Sequence, residues 1–257
     1  MILAVDVGNT TIVLGCIADG AITDVTWLET SRKKTEYEYA ATIRQVLTIT
    51  GLDKPVFEGA VISSVVPQLT ATLKAAVKLV TGQEALIVGA GVKTGLNIGI
   101  DDPSEAGADL VATAVAAIDM GLTLPTVIVD MGTATTITVV DKNRRLIGGA
   151  ILPGLAISSE ALIRSVSLLP HIPIEAPKKV IGTNSIDCMK SGAVLGTAAA
   201  IDGMIDRIEE ELGIPVSVVA TGGLAKKVIP FCRRDIRQET NLLLRGLWVI
   251  WQKNQKV

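Results

Sequence analysis

Two short motifs pair an aspartate with a glycine two positions later, and they carry the residue types best suited to chemistry. The first, Val-Asp-Val-Gly-Asn-Thr-Thr, contains Asp6 and Gly8, and the second, Val-Asp-Met-Gly-Thr-Ala-Thr, contains Asp130 and Gly132. Glycine permits a turn whose backbone N–H groups point outward, and the Asn or Thr that follows adds a donor, so each motif can cradle a phosphate. The carboxylate can hold a hydrated cation beside that phosphate. Two copies therefore predict two cradles that grip one polyphosphate chain from both sides.

A third motif, Ala-Thr-Gly-Gly-Leu-Ala, supplies the paired glycines Gly222 and Gly223 after a run of apolar residues. Paired glycines at this position let a flat ligand lie against the backbone. A plain strand-to-helix turn is the alternative interpretation. The sequence contains no G-x-x-x-x-G-K-[ST] motif, and its other glycine-rich segment, residues 89–95, has the wrong spacing for a dinucleotide fingerprint.

The elements that must position these motifs repeat along the chain. Each Asp-x-Gly motif lies between an apolar run and a β-branched run, which predicts a strand, a tight turn and an antiparallel strand. Helical and apolar patterns follow, so the predicted plan is β-β-β-α-β-α-β-α, roughly twice. A Gly and a Pro precede the second copy, which sets the predicted domains at residues 1–118 and 119–257. A helix over residues 239–251 is predicted to close the second domain.

Composition excludes several classes of protein. The chain has 257 residues, of which 49% are hydrophobic and 19% charged, and this excludes a disordered chain. A formal charge of −2 with dispersed basic residues argues against nucleic-acid binding. No uncharged stretch reaches the roughly 20 residues of a membrane span, and no signal peptide is predicted. Cys16, Cys188 and Cys232 are predicted to be buried thiols in a reducing cytosol.

The ordered motifs resemble those of a known superfamily. Asp6-x-Gly8, Asp130-x-Gly132 and Gly222-Gly223 are similar to the two phosphate motifs and the adenosine motif of actin, Hsp70 and sugar kinases. Three further segments narrow the resemblance to the type III pantothenate kinases: Ser-Val-Val-Pro, Gly-Ala-Asp, and Gly-Gly-Ala-Ile-Leu-Pro-Gly at residues 64–67, 107–109 and 148–154. The resemblance implies an α/β fold of two duplicated actin-like ATPase (ribonuclease H-like) domains. Each domain would hold a mixed five-stranded sheet with helices, and ATP would lie in the cleft between them.

The same resemblance implies a function. Type III pantothenate kinases phosphorylate pantothenate to 4′-phosphopantothenate with ATP, the first step of coenzyme A biosynthesis. The family is cytoplasmic and homodimeric, with its pantothenate pocket at the dimer interface. Its cofactors are Mg²⁺ and a monovalent cation, K⁺ or NH₄⁺. No nucleic-acid or membrane partner is expected.

Site residues are carried over from the family by position. The residues expected to bind ATP are Asp6, Val7, Gly8, Asn9, Thr10, Thr11, Gly132, Thr133, Gly222 and Gly223. Asp6 is expected near Mg²⁺, and Asp130 is expected to bind the monovalent cation. The residues expected to bind the substrate are Gly107, Ala108, Asp109, Leu110 and Ser185, where Ser185 replaces a threonine of the family.

Asp109 is the implied general base. A carboxylate within hydrogen-bond reach of a primary hydroxyl can accept its proton as the bond to the γ-phosphorus forms. Positioning and charge neutralisation by the phosphate loops and the cation would supply most of the catalysis. The alternative interpretation of Asp109 is an acidic residue favoured in the first turn of a helix by the macrodipole.

The chain departs from the family at Leu110, where the family has an arginine that binds the pantothenate carboxylate. Thr113 likewise replaces an asparagine, and a tyrosine expected upstream is missing. The side chain of leucine has no hydrogen-bond donor, so it cannot replace the bidentate contact between a guanidinium and a carboxylate. Three explanations stay open. Another basic group, for example Lys93 or Arg164, reaches the carboxylate; the acceptor is a different, uncharged alcohol; or the chain is a catalytically weak, nucleotide-binding paralogue that serves a competent kinase as partner or regulatory subunit.

Overall fold

The structure, a computed structural model, describes residues 1–52 and 55–255 of the chain. Its strands are β1 (Ile2–Val7), β2 (Thr11–Ala18), β3 (Ala21–Glu29), β4 (Gly59–Ser64), β5 (Ala85–Ile87), β6 (Asn97–Ile98), β7 (Thr126–Met131), β8 (Ala134–Val140), β9 (Arg145–Pro153), β10 (Ser217–Thr221) and β11 (Arg237–Gln238). Its α-helices are α1 (Glu36–Ile49), α2 (Pro67–Thr81), α3 (Ala108–Asp119), α4 (Leu155–Ser165), α5 (Ser185–Lys190), α6 (Thr197–Leu212), α7 (Ala225–Val228) and α8 (Leu242–Lys253).

The chain folds into two compact units, Met1–Met120 with Asn241–Val257, and Gly121–Thr240. The first unit holds a mixed sheet in the order β3-β2-β1-β4-β5. In this sheet β1, β2 and β3 are antiparallel, whereas β4 and β5 run parallel to β1. Strands β1 and β4 are buried on both faces and so lack polar alternation. Their continuous apolar runs therefore predict parallel strands inside the sheet.

The second unit repeats the plan. Its own strands form a mixed sheet in the order β11-β10-β7-β8-β9. Here β7, β8 and β9 are antiparallel, and β10 and β11 continue the sheet in parallel. The predicted α/β class with a repeated strand-turn-strand unit is confirmed.

The closing helix α8 packs in the first unit, although the sequence-based boundary assigns residues 119–257 to one domain. Two glycines in the first sheet make room for it. A Cβ at Gly15 would lie 2.7 Å from Leu244, and a Cβ at Gly59 would lie 2.5 Å from the Nε1 atom of Trp251. Leu244 is buried, so the apolar face of α8 completes the core over the first sheet.

Two predicted helices are built differently from the expectation. The sequence pattern predicts a helix from Ser104 to about Ala117, with Ser104 as its N-cap. The helix instead begins at Ala108, because Pro103–Glu105 forms a separate 3₁₀ turn capped by the side chain of Asp102. The apolar pattern also predicts helix over residues 187–212, and the structure forms α5 and α6 there, joined by a π-helical segment, Ser191–Gly196. The apolar pattern continues through this segment, so sequence periodicity predicts one helix there.

The cysteines differ from one another. Cys16 is buried, and burial raises the pKa of its thiol to about 11. Cys232 is half-buried, and burial raises the pKa of its thiol to about 12. Cys188 is exposed, so the expectation that it is buried is wrong. Within residues 1–52 and 55–255, no helix has both the length and the apolar character required to cross a membrane.

Candidate active site

The first Asp-x-Gly motif forms the turn between β1 and β2. The N–H of Gly8 donates to the carbonyl oxygen of Thr11 at 3.0 Å. A Cβ at Gly8 would lie 2.9 Å from that same oxygen, so the turn requires glycine. The hydroxyl of Thr30 donates to the carbonyl oxygen of Gly8 at 2.7 Å, which ties the turn to the end of β3. Asn9 and Thr10 are exposed at its tip, and the carbonyl oxygen of Thr10 accepts the N–H of Thr30 at 3.0 Å.

The second motif forms the corresponding turn between β7 and β8, but this turn is shorter by one residue. The last paired residues are Met131 and Thr135, whereas in the first turn they are Val7 and Ile12. The N–H of Gly132 donates to the carbonyl oxygen of Ala134 at 3.0 Å. The two Asp-x-Gly turns are therefore related but not identical.

Glycine Gly154 packs against this second turn. A Cβ at Gly154 would lie 2.1 Å from the carbonyl oxygen of Thr133 and 2.7 Å from that of Gly132. Helix α4 begins at the next residue, Leu155. The segment Gly-Gly-Ala-Ile-Leu-Pro-Gly thus brings a helix N-terminus against the turn, and only glycine allows that approach.

Each motif aspartate has a hydroxyl residue beside it on the neighbouring parallel strand. Asp6 is in register with Ser63 of β4, and Asp130 is in register with Thr221 of β10. Ser63 is fully buried, and its hydroxyl has no hydrogen-bond partner among the described residues. The hydroxyl of Thr221 donates to the carbonyl oxygen of Thr240 at 3.3 Å. The sequence motifs predict no role for Ser63 or Thr221, although each is a polar residue near the end of an apolar strand.

The paired-glycine motif lies against the second Asp-x-Gly motif. Gly222 has φ +96°, and a Cβ there would lie 2.6 Å from the backbone N, C and O atoms of Met131. The carbonyl oxygen of Met131 also accepts the N–H of Leu224 at 3.5 Å. A Cβ at Gly223 would meet no heavy atom within 4 Å. Gly222 is therefore needed for packing, whereas Gly223 leaves its side of the turn open.

Asp109 is the second residue of α3, and its side chain folds back toward the helix N-terminus. Its Oδ1 atom accepts the N–H of Leu110 at 2.8 Å. A Cβ at Gly107, the N-cap residue, would lie 2.3 Å from this Oδ1 atom. Burial raises the pKa of the Asp109 carboxyl, and the backbone hydrogen bonds from Leu110 and from Asp109 itself oppose that rise. A carboxyl held in a fixed rotamer with a raised pKa suits proton transfer.

The segment after β4 connects the start of α3 with the first Asp-x-Gly motif. A Cβ at Gly107 would lie 3.7 Å from the Cγ1 atom of Val65, and the N–H of Val65 donates to the carbonyl oxygen of Val7 at 3.0 Å. The hydroxyl of Ser64 accepts the N–H of Val66 at 3.2 Å. The structure thus brings Gly107 and Asp109 beside the first Asp-x-Gly motif through the Ser-Val-Val-Pro segment.

The two basic residues proposed to replace the missing arginine differ in their contacts: Arg164 is paired through its side chain, and Lys93 is held through its backbone. Arg164 pairs with Glu160 one turn earlier in α4, at 3.4 Å. The backbone N–H and carbonyl of Lys93 are bound by the side chain of Asn254, and Lys93 itself is exposed. Neither pairing involves Leu110, which is half-buried.

Ser185 lies in the second unit, at the first position of α5. It lines a pocket of about 690 Å³ whose lining residues are all uncharged. The pocket combines apolar side chains of α4 and α5, such as Leu162 and Met189, with the hydroxyls of Ser158 and Thr183. Its size and lining suit a small ligand with an apolar body and hydrogen-bonding groups.

Comparison with known proteins identifies the family. The sequence model of the type III pantothenate kinases matches residues 2–207. The type III pantothenate kinase of Halalkalibacterium halodurans is 43% identical over 254 residues, covering 99% of this chain and 100% of the relative. That of Moorella thermoacetica is 37% identical over 254 residues, with 99% and 100% covered.

Solved structures share the fold at low identity. Component A of the (R)-2-hydroxyglutaryl-CoA dehydratase from Acidaminococcus fermentans has a TM-score of 0.55 at 14% identity, with 98% of each chain covered. The activator of the 2-hydroxyisocaproyl-CoA dehydratase from Clostridium difficile has a TM-score of 0.54 at 10% identity, with 98% of this chain and 94% of the other covered. These similarities support the duplicated actin-like fold and nothing about the reaction. The sequence relatives go further, because they match along their whole length, and the chain belongs to the type III pantothenate kinase family.

Proposed function

We propose that this protein transfers the γ-phosphoryl group of ATP to the primary hydroxyl of pantothenate, giving 4′-phosphopantothenate and ADP. The observation that carries this function is the full-length similarity to type III pantothenate kinases, at 43% identity for the Halalkalibacterium relative. The reaction would be the first step of coenzyme A biosynthesis, and we place it in the cytoplasm. Full-length similarity does not favour an uncharged acceptor or a paralogue without activity.

The nucleotide side of the proposed site consists of the three glycine motifs. The backbone of the Gly8 and Gly132 turns would bind the phosphates, together with Val7, Asn9, Thr10, Thr11 and Thr133. The backbone at Gly222 and Gly223 would receive the adenosine. The open side of Gly223 supports this role, because a flat ligand needs close access to the backbone.

The proposed cations would lie beside the two motif aspartates. Asp6, in register with the buried hydroxyl of Ser63, offers the oxygen ligands that Mg²⁺ prefers. Asp130 is the proposed ligand of K⁺ or NH₄⁺. Bound Mg²⁺ would neutralise charge on the β- and γ-phosphates.

The proposed general base is Asp109. Its carboxylate would accept the proton of the pantothenate hydroxyl while that oxygen attacks the γ-phosphorus and the bond to the β-phosphate oxygen breaks, releasing ADP. The hydrogen bond from Leu110 and the absence of a side chain at Gly107 hold the carboxylate in one orientation. Asp109 can accept a proton only when it is ionised. Because burial raises its pKa, activity should be lost on acidification at a pH above the ordinary pKa of an aspartate.

The proposed acceptor contacts are Gly107, Ala108, Leu110 and Ser185, and we propose a homodimer. The second unit exposes several large apolar side chains at Leu162, which lines the pocket that contains Ser185, and at positions close in sequence to other lining residues: Ile157, Val166, Leu168, Ile181 and Ile186. Exposed apolar side chains of this kind support contact with a second copy of the chain. Leu110 would leave the pantothenate carboxylate without a guanidinium partner from α3.

The test is a coupled assay of ADP release with ATP, Mg²⁺ and K⁺, with and without pantothenate. We expect release that depends on pantothenate, a product with the mass of 4′-phosphopantothenate, and loss of turnover in Asp109→Asn with ATP binding retained. A folded chain that binds ATP and releases no pantothenate-dependent ADP would contradict the proposal. Pantothenol, the neutral alcohol analogue, tests the uncharged-acceptor alternative in the same assay. Exchange of K⁺ for Na⁺ tests the monovalent cation, and light scattering tests the dimer.

A further inference from the structure

The C-terminal helix α8 makes its closest packing contact with the helix that carries Asp109. A Cβ at Gly246 of α8 would lie 1.8 Å from the carbonyl oxygen of Ala112 and 2.5 Å from its carbonyl carbon. Both residues are buried in the first unit. The backbones of α3 and α8 therefore touch at this point, and no side chain larger than hydrogen fits there.

Helix α8 also holds both ends of the segment that leads into and out of α3. At the start, the side-chain oxygen of Asn254 accepts the N–H of Lys93 at 3.0 Å, and its Nδ2 atom donates to the Lys93 carbonyl oxygen at 2.9 Å. The same Nδ2 atom donates to the carbonyl oxygen of Ile250 at 2.7 Å, which fixes the amide on its own helix. At the end, Arg245 pairs with Asp119, the last residue of α3, at 3.0 Å.

Asp109 lies within this held segment, three residues before Ala112. Residues three apart share one face of a helix, so a displacement of α3 at Ala112 moves Asp109 with it. We propose that Gly246 and Asn254 are positioning residues, which set where α3 and its carboxylate lie relative to the acceptor hydroxyl. This inference rests on the proposed role of Asp109 as general base. Neither residue lies within the part of the chain matched by the family model, which ends at residue 207.

The expected effect is on the chemical step. A misplacement of about 1 Å costs on the order of 100-fold in rate when reacting groups must meet in one geometry. The atoms nearest to a Cβ at Gly246 belong to Ala112 of α3, and the side chain of Asn254 bonds to Lys93 and to Ile250. These partners lie outside the turn of the first Asp-x-Gly motif. ATP affinity should therefore survive a change that lowers the turnover number.

The experiment compares Gly246→Ala and Asn254→Ala with the control Gln255→Ala in the full-length chain. Gln255 is the matched control because, among the described residues, its side chain donates to the carbonyl oxygen of Trp251 in α8, at 3.0 Å, and not to α3 or to Lys93. We measure kcat, KM for pantothenate, the Kd of ATP and Tm for each variant. We expect Gly246→Ala to lower kcat by about 10- to 100-fold, Asn254→Ala to lower it by a smaller factor, and ATP Kd to stay within about twofold for both. Gln255→Ala should match the parent in all four quantities.

The outcomes separate this inference from the proposed function. Loss of turnover in Asp109→Asn together with unchanged kcat in both α8 variants would overturn the positioning role and leave the base in place. A parallel loss of kcat and ATP affinity in Asn254→Ala would also overturn it, because general destabilisation would then explain the result. If Asp109→Asn keeps full activity, the proposed general base is wrong, regardless of the kinetics of Gly246→Ala and Asn254→Ala. Asn254→Ala decides the matter should Gly246→Ala fail to fold, since it introduces no clash.

Discussion

The carboxylate of Asp109 occupies the space where a side chain at Gly107 would begin. A Cβ at Gly107 would lie 2.3 Å from the Oδ1 atom of Asp109. The backbone of Gly107 itself has φ −54°, which any residue can adopt. The glycine is therefore required by its neighbour's side chain and not by backbone strain.

Gly107→Ala should impair turnover with little effect on folding. The new methyl group would meet the side chain of Asp109 and no backbone atom among the nearest atoms, so Tm should change little. The displaced carboxylate loses its hydrogen bond from Leu110 and its approach to the acceptor hydroxyl, and kcat should fall by about 10-fold or more. Steady-state kinetics and thermal unfolding measure the two effects. Gly89→Ala is the control, because a Cβ at Gly89 meets no atom within 4 Å; equal kcat in both variants would contradict the role of Gly107.

Because the carboxyl of Asp109 is partly buried, Asp109→Asn should stabilise the fold. Burial raises the pKa of this carboxyl, so folding disfavours its charged form, and stability falls as pH rises from the unfolded pKa through the folded pKa. Asp109→Asn removes that cost and should raise Tm at neutral pH. The gain in Tm should shrink as pH falls toward about 4, near the ordinary pKa of an aspartate. The same substitution should abolish turnover. A helix-dipole role alone would instead make the Asp109→Asn variant less stable than the parent at neutral pH, so thermal unfolding of both proteins from acidic to neutral pH separates the two interpretations.

Local patterns predicted the parts of the fold that depend on local sequence. The strand-turn-strand units are visible because Asp-x-Gly lies between apolar and β-branched runs, and the structure forms β1–β2 and β7–β8 there. The pairing of Asp6 with Ser63 depends on a parallel register between strands distant in sequence, and no local pattern encodes that register. For the same reason, the apolar face of α8 predicts a packed helix but not which sheet it covers. The need for glycine at Gly15 and Gly59 is explained only by the tertiary structure, which packs Leu244 and Trp251 of α8 against them.

Leu110→Arg should improve binding of an acceptor with a carboxylate. A guanidinium at this position can form charge-assisted hydrogen bonds to a carboxylate, which contribute about 1.5–3 kcal/mol, so KM for pantothenate should fall about 10- to 100-fold. KM for pantothenol should not fall, because that analogue lacks the carboxylate. Leu110→Lys should gain less, since an ammonium cannot make the bidentate contact. If Leu110→Arg leaves KM for pantothenate unchanged, the acceptor carboxylate is bound elsewhere.

Gly222→Ala should weaken nucleotide binding by disturbing the second cradle. Gly222 has φ +96°, and its Cβ would lie 2.6 Å from three backbone atoms of Met131, so neither the turn nor β7 can stay in place. The positive φ alone costs about 1–2 kcal/mol for a residue with a Cβ. We expect a lower Tm and an ATP Kd raised by at least about 10-fold, since about 1.4 kcal/mol of lost binding free energy corresponds to each factor of ten. Gly196→Ala is the control, because a Cβ there meets no atom within 4 Å. Calorimetric titration with ATP measures the difference, and an ATP Kd equal to that of the control would show that the paired-glycine turn does not contribute to the nucleotide site.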